Sequence, residues 1–271
     1  MKIRHAVEAD QPAWDVYVQE HSEGVAYQLF AWQQAVADAY GFSGRYLLAE
    51  NEGGICGVLP LIEFRLPLQP VCLLSLPYCD AGGILADSAD IAEQLLSHLA
   101  SIFQRENCGG EIRSVSQLPS VSPNRTDKVR MVLELPQSSE ELLAGLKAKL
   151  RSQVKKPMRD GLTAKLGGSE LVDIFYDIFA QNMRDLGSPV HSKRWIKSVV
   201  ESYGGNARVA VVFTPEEQPA AAGIILLHQK TVSIPWASAL RDYNRMNPNM
   251  LLYWTFLAFA ADSVYVDSAK L

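Results

Sequence analysis

At 271 residues the chain has room for one large domain or two of ordinary size, and 48% hydrophobic against 20% charged residues is the composition of a globular protein that buries a core. A net charge of −5 excludes a protein that holds polyanions by bulk charge alone. The charge is uneven, with 9 Lys/Arg against 17 Asp/Glu in residues 1–135 and 16 against 13 in residues 136–271, so a basic sub-region lies in the second half.

Taken in chain order, residues 1–6 read as a short strand, and Gln11–Glu20 and Ala31–Ala39 as helices, the second with Trp32, Ala35, Val36 and Ala39 on one face and Gly41 as its stop. Arg45–Glu50 and Ile55–Phe64 form a hairpin across Asn51-Glu-Gly-Gly54, whose glycines permit positive φ. Val71–Leu76 is a third strand. A long helix runs from Asp90 to Asn107, with Asp90 and Glu93 as a capping box and Ile91, Leu95, Leu99, Ile102 and Phe103 as its buried stripe. Glu111–Val115 and Val129–Leu135 read as strands.

The second half starts with a helix near Ser139. Ser169 then caps an amphipathic helix carrying Leu171, Ile174, Phe175, Ile178, Phe179, Asn182 and Leu186 at helical spacing, and Gly187 stops it. Ser192 caps another helix that ends at Gly204. Ala207–Phe213 and Ala220–His228 form a hairpin, Val232–Leu240 is a strand, Pro248–Ala261 a helix buried on most sides, and Val264–Asp267 starts a last strand. The order of hairpin, third strand, helix and further strand occurs twice. It predicts an α/β (α+β) fold of two tandem modules, residues 1–136 and 137–271, each a mixed, mostly antiparallel sheet flanked by helices, packed in one body.

The N-terminus, MKIRHAVEADQPAW, lacks the apolar core of a signal peptide, and the most hydrophobic stretch, Met250–Ala261, is too short to span a bilayer. A cytoplasmic protein without a transmembrane segment is expected. Cys56, Cys72, Cys79 and Cys108 form no CxxC pair and no His stands at metal-ligand spacing, so free thiols and no metal are expected.

Four stretches can carry chemistry. LKAKLRSQVKKPMRDGL (residues 146–162) concentrates Lys147, Lys149, Arg151, Lys155, Lys156 and Arg159 against Asp160, with Pro157 expected to end or kink the helix. It is either a solvated basic face or a site for a phosphate-rich substrate such as tRNA or a nucleotide- or lipid-linked sugar. SLPYCDAGG (residues 75–83) ends a strand in a glycine-rich loop where Asp80 caps a turn, serves as a base or binds an ammonium group. NMRDLGSPVHSKRW (residues 182–195) gathers Arg184, Asp185, His191, Lys193 and Arg194 between two helices, and is an ordinary loop, a ligand-binding segment or one where His191 does general acid/base work. IPWASALRDYNRMNPNMLLYW (residues 234–254) leads from Trp236 and Ser238 through Arg241 to Asn249 and Tyr253, with Pro248 suited to the first turn of a helix. A helix N-terminus there offers free N–H groups to an anion, but residues 239–250 contain no glycine to let a pyrophosphate approach the backbone. No P-loop, dinucleotide fingerprint or G-x-S-x-G elbow is present.

These stretches resemble the FemAB-like branch of the GNAT superfamily, and more closely the FemAB-type proteins associated with exopolysaccharide and PEP-CTERM sorting loci. The resemblance covers nearly the whole chain. It implies transfer of an aminoacyl or acyl group to an amine on a cell-envelope or exopolysaccharide precursor. It further implies no bound cofactor, and aminoacyl-tRNA as the donor in preference to acyl-CoA. The family continues past the last strand with an aspartate-glycine-arginine-serine type motif that VYVDSAKL does not show, so the second module is expected to be incomplete at its C-terminus. The long helical arm with which some relatives grip tRNA is also missing from the second half. The substrate-binding residues read from these stretches are Asp80, Lys149, Arg151, Lys155, Lys156, Arg184, His191, Trp236, Arg241, Asn249 and Tyr253; no catalytic residue is singled out, because positioning alone can supply most of the rate of such a transfer. A non-catalytic GNAT-like binding module and a CoA-dependent N-acetyltransferase are the two alternative functions.

Overall fold

The computed structural model describes residues 1–65, 67–114, 118, 130–229 and 231–264. The chain divides into two units, Met1–Met131 and Val132–Leu271.

The first unit contains, in order, β1 (Lys2–His5), α1 (Gln11–Glu20), α2 (Phe30–Tyr40), β2 (Ser43–Gly44), β3 (Leu47–Asn51), β4 (Gly54–Leu59), β5 (Ile62–Phe64), β6 (Cys72–Leu74), β7 (Leu85–Ala86), α3 (Ala89–Glu106) and β8 (Gly109–Glu111). One sheet has the order β1-β3-β4-β7 and a second β2-β5-β6-β8. All pairs are antiparallel except β6 with β8, which run parallel across the crossover helix α3. The single return strand expected over Ile55–Phe64 is therefore two strands in two sheets. The chain breaks at Pro60 and Leu61, where proline has no N–H to give to a ladder. Leu47, Ala49, Leu59, Leu61 and Leu73 pack under Leu95, Leu99 and Ile102 of α3. Ser88, not Asp90, caps that helix: its extended backbone aims the hydroxyl at the Ile91 N–H, while Asp90 lies inside the first turn. Of the strand expected over Glu111–Val115, β8 covers Glu111, residues 112–114 are irregular and Val115 lies outside the described residues. Of that expected over Val129–Leu135, Val129 lies outside the described residues, residues 130–135 form no strand, and Met131, Val132 and Leu133 are exposed.

The second unit contains α4 (Ser139–Gly145), α5 (Ala148–Arg159), β9 (Thr163–Gly167), α6 (Val172–Asp185), α7 (Lys193–Tyr203), β10 (Ala207–Phe213), β11 (Pro219–His228), β12 (Thr231–Ala239) and α8 (Pro248–Val264). The antiparallel sheet has the order β12-β11-β10-β9. The period of two sorts its strands onto two faces. Ala210, Val212, Ala221 and Ile225 meet Leu251, Leu252 and Phe256 of α8 on one face. Val209, Val211, Ala222 and Ile224 alternate with them and face the side of α6 and α7. Gly223 lets α8 approach closely, since a Cβ there would stand 2.8 Å from the Phe256 ring.

Sequence reasoning missed β9, whose first three residues are exposed, so no buried period marks it. It also placed one helix where α4 and α5 are separated at Leu146 and Lys147. Pro157 is tolerated inside α5 and buried; the helix ends two residues later at Arg159. Ser169 opens a 3-10 turn before α6 without capping it by side chain. α8 runs on to Val264, and residues 265–267 of the expected last strand lie outside the described residues. No helix among the described residues is long and apolar enough to cross a membrane. The fold is thus a mixed α/β one, antiparallel sheets flanked by helices, as the element order predicted.

Candidate functional site

Each unit has a corner between a strand and a long helix that follows it, and the two corners differ. In the first unit β6 leads through a loop, residues 75–84, and the short β7 to α3. Leu76, Pro77, Cys79, Ala81, Gly82 and Gly83 of this loop are buried. The carbonyls of Pro77, Cys79 and Gly83 accept hydrogen bonds from Trp32 Nε1 (3.1 Å), Arg113 (3.1 Å) and Gln28 Nε2 (2.9 Å). Burial pushes the Cys79 thiol up to about 12, which rules it out as a thiolate nucleophile at neutral pH. Asp80 is exposed at the surface of this filled corner.

In the second unit β12 turns into α8 through a 3-10 segment, Arg241–Met246. Arg241, Asp242, Asn244, Arg245 and Asn249 are exposed. Asn247 adopts the left-handed conformation (φ 56°) that glycine would otherwise supply, and Pro248 opens α8. Asn249 and Tyr253 are four residues apart on α8, hence on one helical face, and Tyr253 is exposed.

The basic helix α5 packs on α8. Lys156 Nζ donates to the Arg245 carbonyl (2.8 Å) and pairs with Asp160, so one cation ties α5 directly to the corner. Lys149 and Lys155 are exposed. Arg151 turns away from that corner. Its guanidinium donates to the Ala144 and Leu146 carbonyls at 2.9 and 2.8 Å and closes the C-terminal end of α4.

On the opposite face of β12 a second group of predicted residues meets. Trp236 and Ser238 point the same way. Asn182 Nδ2 of α6 donates to Ser238 Oγ at 3.1 Å. The His191 ring lies 6.5 Å from Phe179, nearly parallel, and 6.3 Å from Trp236, edge-on. Trp195 meets Trp236 edge-on at 6.3 Å. Burial lowers the His191 pKa below 6.5, so the imidazole is neutral at pH 7. Arg241 reaches back to the Asp185 carbonyl at the end of α6 (2.8 Å), joining this face to the corner. Arg184 is largely exposed, 3.7 Å from the Asp185 carboxylate.

β12 itself carries a bulge: Ile224 pairs with Trp236 but Leu226 pairs with Ser233, which leaves one extra residue on β12 beside Pro235, a residue with no N–H for the ladder. Sequence reasoning named most of these residues but missed the pairings. Asn182 with Ser238 and Lys156 with Arg245 join residues 56 and 89 positions apart, and no local spacing signals either contact.

Residues 147–266, within the second unit, match the family profile described as Acetyltransferase (GNAT) domain. No curated protein matches the chain. Among solved structures the chain resembles FemX, with a TM-score of 0.69 and 11% identity over 96% of this chain and 86% of that one. It also resembles a conserved protein of unknown function from Bacteroides thetaiotaomicron VPI-5482, with a TM-score of 0.55 and 11% identity over 95% and 86%. A third likeness, to L-PGS from Bacillus licheniformis, has a TM-score of 0.50 and 10% identity over 93% and 74%. At such identities these likenesses establish the fold.

Proposed function

We propose that the chain is an aminoacyl- or acyltransferase acting on an amine of a cell-envelope or exopolysaccharide precursor, with its activity in the second unit and aminoacyl-tRNA as donor. The observation that carries this reading is the bond from Lys156 to the Arg245 carbonyl, which fixes a basic helix against an exposed strand-to-helix corner in a GNAT domain. An ester donor brings its phosphates to such a helix and its carbonyl to the neighbouring strand end. Chemically, the amine must be neutral, the carbonyl polarised and both held in place. The likeness to FemX supports the FemAB-type reading at the level of the fold.

CoA-dependent N-acetyl transfer is the second reading, favoured by the family's description and by the left-handed turn at Asn247. Against it, residues 239–250 contain no glycine, so side chains line the whole approach to the backbone N–H groups. Calorimetry separates the two. The proposal expects a mixed pool of aminoacyl-tRNA to bind and be deacylated in the presence of an amine, and acetyl-CoA not to bind tightly. Micromolar acetyl-CoA binding without any tRNA binding would select the second reading. Binding of either donor without transfer to any amine would leave a binding module.

A further inference from the structure

We propose that His191 is the proton acceptor of the transfer, taking the first proton from the incoming ammonium group; this role rests on the transferase reading above. His191 sits on the loop that enters α7, on the same side of the sheet as Trp236 and Ser238. The loop is held at three points. The His191 carbonyl accepts from Tyr176 OH (3.0 Å), Ser192 Oγ accepts from the Trp195 N–H (3.1 Å), and Phe179 and Trp236 bracket the ring. A fixed imidazole beside β12 is what general-base catalysis needs, because geometry must be set before a proton moves.

Two physical effects keep that imidazole neutral. It is packed among aromatic rings, where the charged form is poorly solvated. It also directly precedes the cap residue of α7, at the positive end of an 11-residue helix, which disfavours a second positive charge. The ionisable groups of the surrounding elements do not counter this. α6 contributes Asp173 and Asp177, but Asp173 is engaged by Lys193 Nζ at 2.6 Å. Asp185 and Arg184 lie together at its far end, Arg194 is exposed on α7, and Arg241 follows β12 and is bonded to a backbone carbonyl.

The proton balance is simple. The acceptor arrives as a primary ammonium and its nitrogen loses two protons. The first passes to a ring nitrogen of His191 and then to water, freeing the lone pair that attacks the ester carbonyl. The second leaves as the C–N bond forms and goes to the departing oxygen as the C–O bond breaks. The products are an amide and a free hydroxyl.

An isosteric pair of acceptors tests the first step. Ethylamine is protonated at pH 7, whereas methoxyamine, of the same size, is already neutral. With an aminoacyl-tRNA pool as donor, His191→Gln and His191→Asn are expected to lose about 100-fold in kcat/KM with ethylamine and to stay within about threefold of the parent with methoxyamine. The ethylamine profile of the parent should also fall below pH 6.5, and the variants should lack that limb. Equal losses with both acceptors would make His191 a structural residue, and no loss with either would remove it from the chemistry. An NMR titration in which the His191 ring protonates at or above 6.5 would also overturn the role. Failure of the parent to transfer to either amine sinks the transferase reading itself.

Discussion

Separate replacement of Lys155 and Lys156 by alanine distinguishes a solvated basic face from an anion site. The two lysines are neighbours in α5 with different surroundings: Lys155 is exposed, whereas Lys156 bonds the Arg245 carbonyl and pairs with Asp160. Its side chain is still 39% exposed, so the ion pair contributes at most about 0–1 kcal/mol, and the bond to the carbonyl adds about 1 kcal/mol. Lys156→Ala should therefore lower stability by roughly 1–2 kcal/mol, and Lys155→Ala by less than about 0.5 kcal/mol. If α5 contacts RNA phosphates, each lysine that makes a contact removes about 0.7–0.9 from the slope of log K against log salt. Urea denaturation reads the first pair of values, and filter binding of tRNA from about 50 to 200 mM salt reads the second. A Lys155→Ala protein with unchanged affinity and slope would show that α5 faces solvent and does not hold the donor. Equal stability losses for both variants would refute the assignment of Lys156 to the corner.

Gly83→Ala should cost about 1–3 kcal/mol in the first unit, because the new Cβ would stand 3.0 Å from the Arg113 carbonyl oxygen and 3.1 Å from Ser114 Cα, neither on a flexible side chain; urea denaturation checks it. Gly223→Ala should cost a similar amount in the second unit, where the Trp236 carbonyl is 2.9 Å from the added carbon, and hydrogen exchange of α8 should rise with it. Arg4 donates to Asp10 at 2.6 Å and holds that carboxyl at about 2, below its usual 3.8. The pair's stabilisation is thus complete above pH 3.8 and lost as pH falls through about 2. Asp10→Asn should remove about 1 kcal/mol at pH 7 after solvent screening and nothing at about pH 1.5, as measured by thermal melts across that range.

Much of the scaffold was legible because its signals are local. Asn51 to Gly54 make the first hairpin turn, Ser192 caps α7 with its own hydroxyl, and the period of Phe175, Ile178 and Phe179 fixes the buried face of α6. Features that depend on partners were not legible. β9 is held by pairing with β10 rather than by its own exposed residues. Ser88 takes the cap of α3 from Asp90 because its backbone is already extended, which composition does not reveal. The same holds at the site: the residues of α5 looked equivalent as a charge run, yet Arg151 closes α4 and Lys156 holds the corner. His191 stood out as a histidine among polar neighbours, but the rings that keep it neutral come from α6 and β12.

The contrast between the two corners follows from side-chain size. In the first unit the turn after β6 ends in Ala81, Gly82 and Gly83, small enough for the backbone itself to fill the corner. A buried backbone must find internal hydrogen-bond partners, and Trp32, Gln28 and Arg113 supply them. The packing also holds Leu76 and Tyr78 in left-handed conformations, which cost non-glycine residues on the order of 1–3 kcal/mol each. The turn after β12 contains Arg241, Asp242, Asn244 and Arg245, whose polar heads cannot be buried without partners, so that turn stays at the surface. A transfer reaction needs room at the strand end for an activated carbonyl and a cation near it for the donor's charge. In the filled corner the backbone takes that room and Arg113 is spent on the Cys79 carbonyl, while the exposed one has Lys156 bonded to its backbone and Arg241 leading back to the face that holds His191.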